Sequence, residues 1–114
     1  MKYRYAYNID NPKRNFDPNK WVTGPDPLRR DKYYAWLKHR AQCKHRQEPY
    51  TITWEQWEAM WTDELFMRRG RGRESLCLMR LTLDEAWSND NVKICTRHTQ
   101  LKRQQEYRDA RSQL

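Results

Sequence analysis

The alternation of side chains in the last third of the chain constrains the fold more than any other feature. Residues 76–81 (LCLMRL) and residues 92–96 (VKICT) both follow the period-2 pattern of short, half-buried strands. A polar loop rich in turn-forming residues separates them. Thr96 or Thr99 can then cap a polar helix. The order strand, loop, strand, helix predicts a ββα finger at about 75–113.

The residues of this finger resemble the C-terminal half of HNH nucleases, and in particular their phage homing-endonuclease branch. That branch commonly has an Arg on the first strand, an aromatic residue in the loop, an Asn before the second strand and a Gln on the helix. The matching residues, over roughly a quarter of the chain, are Arg80, Trp87, Asn91 and Gln100. The resemblance implies structural roles for Asn91 and Trp87, with Asn91 bracing the loop between the strands.

The same resemblance places unsuitable residues at the family's catalytic positions. Met79 stands where the first strand has His or Asp, Thr82 at the second acidic position, and Arg103 at the helix position of His or Asn. A hydrolytic site needs a base to activate water and hard ligands to hold a divalent cation. Methionine cannot ionise, and Arg103 would repel a metal. We therefore expect that the nuclease activity of the family has been lost and that the chain binds no metal or cofactor. The weak catalytic candidates that remain are Asp84, Glu85 and His98.

A first helix is predicted upstream, at about 27–46. Asp26 is a suitable N-cap, and Pro27 fits the first helical position, where its missing N–H costs nothing. Apolar residues recur at spacings of three and four and face the core, while the opposite side is densely basic. That basic side could lie on a phosphate backbone or could simply be solvated.

A second helix is predicted at about 54–66. Thr53 and Gln56 form a capping box, and Ile52 with Trp57 fits a hydrophobic staple. One face carries a stripe of tryptophans, which we expect to pack on the first helix as the main core wall. A protein-binding surface is the alternative for this stripe. The other face is acidic, through Glu55, Glu58, Asp63 and Glu64.

The loop before the finger, residues 67–74, concentrates arginines between two glycines that free the backbone. It is not a P-loop, because no Lys-Ser or Lys-Thr follows the glycines. Arginines in such a loop bind phosphate bidentately or enter a minor groove. The alternative is that they pair with the acidic face of the second helix. The arginines are Arg68, Arg69, Arg71 and Arg73.

The remaining features are the charge, the cysteines and the N-terminus. A net charge of +8 on 114 residues, with six Trp and seven Tyr, suits a polyanionic partner. Three cysteines with no C-x-x-C pair, and an N-terminus without an apolar h-region, predict a reduced intracellular protein. Cys77 and Cys95 could face each other across the two strands as small buried thiols.

Residues 1–24 predict an irregular arm, whose alternating tyrosines fit an edge strand or base stacking.

Together these features predict an α+β protein: an arm at 1–24 and a single small domain at 25–114. The predicted activity is binding of nucleic acid, as double-stranded DNA, without cleavage, in the cytoplasm of a phage-infected cell. The first alternative is an inhibitor or adaptor that binds a host protein with an acidic surface. The second is an active metal-dependent endonuclease. The predicted phosphate contacts are Arg68, Arg69, Arg71, Arg73, Arg80, Lys102 and Arg103.

Overall fold

The computed structural model describes residues 22–112, so the predicted arm lies outside the described residues up to residue 21. Helices and a two-stranded antiparallel sheet followed by a C-terminal helix confirm the predicted α+β class. None of the helices in residues 22–112 is both long enough and apolar enough to span a membrane. The elements are α1 (Pro27–His45), α2 (Trp54–Met60), α3 (Asp63–Met67), β1 (Leu76–Arg80), a 3-10 turn (Asn89–Asn91), β2 (Val92–Thr96) and α4 (Arg97–Ser112).

Helix α1 begins where the sequence predicts. The Asp26 carboxylate accepts a hydrogen bond from the Leu28 amide at 3.0 Å, and Pro27 occupies the first turn. The buried face of α1 packs on α2 through aromatic rings. Tyr33 meets Trp54 edge-on, with 5.1 Å between ring centroids. The predicted packing of two Trp-rich helices is therefore confirmed.

The predicted start of α2 is also confirmed. The Thr53 hydroxyl accepts from the Gln56 amide at 3.1 Å, and the Gln56 side chain accepts from the Thr53 amide at 3.0 Å. These reciprocal bonds satisfy two donors that a helix N-terminus leaves free. The indole of Trp36 on α1 donates to the carbonyl of Ile52 at 3.0 Å, which ties the entry of α2 to α1.

The prediction of one helix over 54–66 is wrong, because the chain leaves the helix at Trp61, with φ −90° and ψ 81°. Thr62 then caps the new helix α3, its hydroxyl accepting from the Leu65 amide at 3.4 Å. The break brings Trp61 inward until it is fully buried and its ring lies edge-on to Phe66. Burial of a large aromatic side chain offsets the lost helical hydrogen bonds.

The core lies between α1, the α2–α3 segment and one face of the sheet. Strand β1 contributes Leu76 and Leu78 to that core, while Cys77 and Met79 point to the opposite face of the sheet. The buried core residues are Trp36, Cys43, Ile52, Trp54, Trp57, Trp61, Leu76, Leu78 and Trp87.

Strands β1 and β2 pair in antiparallel register, with Cys77 opposite Cys95 and Arg80 opposite Val92. Helix α4 follows β2 directly. Of the two predicted caps, Thr96 serves, since its hydroxyl accepts from the Thr99 amide at 3.2 Å. Helix α4 contacts both strands but has no buried residue. The finger is therefore a hairpin covered on one face by a mostly exposed helix.

Candidate nucleic-acid interface

A cleft of about 670 Å³ opens between α1, the arginine-rich loop, β1 and α4. We call residues 68–73 the arginine loop and this space the basic cleft. Glu48 is its only carboxylate within the described part of the chain. Its positively charged lining residues are Lys38, Arg46, Arg69, Arg71, Arg80 and Arg97.

Helical spacing explains why two walls of the basic cleft are polar. On α1, Lys38 and Gln42 lie one turn apart, and Arg46 follows four residues later. On α4, Arg97, Gln100 and Gln104 line the cleft at spacings of three and four. Each helix therefore presents cations and amides to the same space.

Glu48 anchors the floor of the basic cleft. Its Oε1 accepts from the Trp87 indole at 3.0 Å and from Arg46 Nε at 3.0 Å. Its Oε2 accepts from Arg80 Nη2 at 3.2 Å. Burial alone would raise the pKa of Glu48, but these hydrogen bonds and the two positive charges outweigh it and hold the pKa below its ordinary value. The carboxylate is therefore ionised and joins α1, the finger loop and β1.

Arg80 lines the cleft, but its positive charge is already paired with Glu48. Only 13% of its side chain is exposed, and its guanidinium lies 5.0 Å from the centroid of the Trp87 ring. It pairs with Glu48 and donates from Nη1 to the Glu85 carbonyl at 3.0 Å. These contacts favour a structural role for Arg80 over the predicted phosphate contact.

The arginine loop is held by backbone hydrogen bonds at its ends and by the packing of one side chain, Arg69. The Leu76 amide donates to the Arg68 carbonyl at 2.8 Å, and the His98 amide donates to the Arg73 carbonyl at 3.0 Å. The Arg69 guanidinium packs over the ring of Trp57 at 5.7 Å. Arg71 lines the cleft and is exposed. The loop is therefore anchored at both ends while its cations face solvent or the cleft.

Two acidic residues that could have neutralised this loop are paired elsewhere. Glu58 forms an ion pair with Arg29, and Asp63 pairs with Lys32 at 2.6 Å, so both carboxylates join α1 instead. Across residues 22–112, no carboxylate pairs with Arg68 or Arg71. The alternative prediction, that the acidic helix face neutralises the loop, is wrong for these two arginines.

Arg73 differs from its neighbours in the loop. Its Nε lies 3.9 Å from Glu74, and its Nη2 donates toward His98 Nε2 at 3.5 Å. Both of its partners are exposed. Exposed pairs of this kind are worth little, so the Arg73 charge stays available to a stronger anion.

The two cations predicted on α4 lie outside the lining of the basic cleft. Lys102 is exposed, and Arg103 donates to the Leu81 carbonyl. Arg97, which the sequence did not single out, lines the cleft instead. Its Nε is buried and has no hydrogen-bond partner among the described residues.

Asn91 braces the loop between the strands. It is 7% exposed, and its side-chain amide spans the loop with three hydrogen bonds. Oδ1 accepts from the Thr82 amide at 2.8 Å, and Nδ2 donates to the carbonyls of Thr82 and Ala86 at 3.0 and 2.9 Å. Trp87 is buried in the same loop, where its backbone amide donates to the Pro49 carbonyl at 2.9 Å.

The structure does not gather the weak catalytic candidates into a site. Asp84 accepts from the Tyr107 hydroxyl on α4, Glu85 is exposed, and His98 lies beside Arg73. Within residues 22–112, no group of three or more His, Cys, Asp or Glu side chains is arranged to hold a metal ion. The fold therefore does not bring these three residues together into one reaction centre.

His39 also lines the basic cleft, beneath its surface. Its Nδ1 lies 3.1 Å from the Tyr50 hydroxyl, and its ring meets Trp87 edge-on at 4.7 Å. Burial, with the nearby charges of Arg69 and Arg46, lowers the pKa of His39 to about 4. The ring is therefore neutral near pH 7 and adds no charge to the cleft.

Sequence reasoning missed Lys38, Arg46 and Arg97 as members of one site. The first two stood within a long basic helix face, and Arg97 stood alone after a strand. The one sequence signal that these residues share is helical spacing. It links Lys38 to Arg46 on α1 and Arg97 to Gln104 on α4. Helical spacing shows which side chains share one face of a helix, but it does not show which element lies opposite that face.

No protein-family model matches the chain, and no curated protein or solved structure shows significant similarity to it.

Proposed function

We propose that the protein binds nucleic acid, as double-stranded DNA, through phosphate contacts at the basic cleft and the arginine loop, and that it does not cut the DNA. The observation that carries this proposal is the lining of the cleft. Six cationic side chains from α1, the loop, β1 and α4 converge there against one carboxylate. Such convergence raises the local potential and attracts a polyanion.

The pairing of the other charges supports the same conclusion. Glu48 offsets part of the charge of Arg46 and Arg80, while Lys38, Arg71 and Arg97 have no carboxylate partner in residues 22–112. Arg71 and Arg97 present guanidinium groups, which suit bidentate contacts with phosphate. Arg68, Arg73 and Lys102 are exposed cations that can extend the contact beyond the cleft.

The absence of cleavage follows from the proposed relationship of the finger to HNH nucleases. Met79 is buried on the face of β1 that points away from the core, where it offers a thioether rather than an imidazole or carboxylate. The backbone of Thr82 is bound by Asn91, and Arg103 brings a positive charge to the same end of the finger. Such a set cannot activate water or hold a hard cation. We place this binding activity in the cytoplasm of a phage-infected cell.

The proposal is tested by the affinity for a labelled duplex of about two helical turns, measured by fluorescence anisotropy at low salt. Arg71→Ala and Arg97→Ala should each weaken binding roughly three- to tenfold, because each removes one phosphate contact. The matched control is Arg108→Ala, which removes an exposed α4 arginine outside the cleft lining and should leave the affinity nearly unchanged.

Equal losses in all three variants would mean that binding reflects net charge alone and would contradict the assignment of the basic cleft. No binding by the wild-type chain would overturn the nucleic-acid proposal. A protein partner with an acidic surface would then be the function to test. Plasmid nicking that requires a divalent cation and disappears in Asp84→Ala would establish the nuclease alternative instead.

A further inference from the structure

Three sulfur atoms gather on the face of the hairpin that turns away from the main core. Cys77 and Met79 are alternate residues of β1 and share that face, and Cys95 stands directly opposite Cys77 on β2. The Cys95 thiol donates toward the Met79 sulfur, with 3.8 Å between the two atoms. We call these three residues the sulfur cluster.

The main hydrophobic core does not use the sulfur cluster. The opposite face of the same strands supplies that core through Leu76, Leu78 and the partly buried Ile94. Cys77 and Met79 line the basic cleft, as do Leu76 and Leu78, which gives a small ion a route to two of the three sulfurs. Both cysteines are half-buried, whereas Met79 is almost completely buried. The cluster is therefore shielded but reachable.

Cys77 and Cys95 face each other as free thiols across the strand ladder. The Arg97 amide donates to the Ser75 carbonyl at 2.8 Å, and the Leu81 amide donates to the Asn91 carbonyl at 2.7 Å. Alternation from these bonds places Cys77 and Cys95 at a hydrogen-bonded pair, whose Cα atoms lie about 5.5 Å apart and whose side chains are wider apart than at the other pairs. A disulfide joins sulfurs about 2.05 Å apart and forms over Cα separations of about 4.4–6.8 Å, so a metal site here requires both thiols to be kept reduced.

A metal ion bridges a wider gap. At a metal–sulfur distance of about 2.3 Å, three sulfurs in a trigonal plane lie about 4 Å from one another. The 3.8 Å between the sulfurs of Cys95 and Met79 is close to that spacing. Two thiolates and one thioether form a soft ligand set, which selects Cu(I) over hard cations such as Mg²⁺ or Ca²⁺.

We propose that Cys77, Cys95 and Met79 form a binding site for one Cu(I) ion. On binding, both S–H bonds break and two protons leave to solvent. Two copper–thiolate bonds form, and the Met79 sulfur donates a lone pair. No electron is transferred, so the ion must arrive already reduced. The complex of two thiolates with Cu(I) carries one negative charge.

Burial opposes the thiolate form of Cys77, and two arginines partly offset that effect. Burial and contact with Cys95 raise the pKa of Cys77 to about 11, while the positive charges of Arg97 and Arg69 act in the opposite direction. Metal binding displaces the thiol protons. The nearby arginines then stabilise the anionic complex.

The test is a titration of the full chain with Cu(I), kept reduced with ascorbate under nitrogen, against bicinchoninate as the competing ligand. One equivalent should be withdrawn from the coloured bicinchoninate complex, and a near-ultraviolet thiolate–copper absorption should appear. Cys77→Ser and Cys95→Ser should abolish competition. Met79→Leu keeps the volume but removes the thioether, and should weaken binding at least about tenfold. Cys43→Ala is the control, since Cys43 is fully buried in the main core, away from the cluster.

Failure of the wild-type chain to compete would overturn the site. Wild-type affinity in Cys95→Ser or in Met79→Leu would overturn it as well, because both sulfurs are assigned as ligands. Circular dichroism of each variant shows whether it folds. If the serine variants do not fold, Met79→Leu decides the question alone. The measurement involves no nucleic acid, so its outcome is independent of the proposal for the basic cleft.

Discussion

Replacement of Asn91 by alanine should destabilise the finger strongly. The substitution deletes three hydrogen bonds and leaves the Thr82 amide and the carbonyls of Thr82 and Ala86 without their partner. Each lost bond costs about 0.5–1.5 kcal/mol, and stranding a buried group costs more than losing an exposed one. The free energy of unfolding should fall by about 2–4 kcal/mol.

A loss of this size is readily measured. In a domain of this length, each kcal/mol shifts the thermal midpoint by about 4–8 °C, so Asn91→Ala should melt about 10–30 °C below the wild type. The assay is thermal unfolding followed by circular dichroism. Asn89→Ala is the matched control, because Asn89 is exposed in the same 3-10 turn.

A second substitution, Asn91→Asp, removes the hydrogen-bond donor of this side chain but keeps an acceptor. Asn91→Asp keeps an acceptor for the Thr82 amide but, when ionised, cannot donate to the carbonyls of Thr82 and Ala86. It should therefore be no more stable than Asn91→Ala near neutral pH. A midpoint for Asn91→Ala within a degree or two of the wild type would refute the bracing role.

Three further predictions concern stability. Thr53→Ala removes the hydroxyl of the capping box at α2 and should cost about 1 kcal/mol in urea unfolding. Glu48→Gln leaves the half-buried Arg80 without its ion pair and should cost about 1–3 kcal/mol, whereas the exposed Glu55→Gln should cost almost nothing. The unfolded chain protonates His39 near pH 6.5 but the folded chain only near pH 4, so stability should fall by about 3 kcal/mol as pH drops through that range. His39→Phe should remove that loss; an unchanged pH profile in this variant would contradict the buried neutral ring.

Local sequence signals predicted the beginnings of the elements well. Asp26 with Pro27, Thr53 with Gln56, and Thr96 each cap the helix that the sequence assigns to them. Such caps depend on residues two or three apart, so no tertiary information is needed to recognise them. The alternation of side chains is also a local signal, and it predicted the two strands.

Features that depend on distant residues were not predictable in this way. The break at Trp61 arises because this ring is buried in the core, and the capping residue Thr62 has no Glu or Gln three residues later. Glu48 stands beside a proline and reads as a loop residue, yet it joins three elements through Arg46, Arg80 and Trp87. Only the folded chain shows which charges neutralise each other.

The candidate site was likewise predictable from local sequence in part, while the rest of it depends on distant residues. Arginine-rich composition identified the loop as a candidate, and the structure adds that the carboxylates of Glu58 and Asp63 bind α1 rather than the loop. Arg97 was missed because a lone arginine after a strand carries no pattern. Its position in the cleft depends on how α4 lies over β1.

The salt dependence of DNA binding tests the central claim most directly. For the wild type, the logarithm of the association constant should fall with the logarithm of salt concentration at a slope of roughly −4 to −7, if about four to eight phosphates are neutralised. The double variant Arg71→Gln, Arg97→Gln should make that slope shallower by about two, since each arginine accounts for about one phosphate. An Arg108→Gln, Arg111→Gln control, with two exposed α4 arginines outside the cleft lining replaced, should keep the wild-type slope. Equal slopes for all three proteins would contradict phosphate binding at the basic cleft.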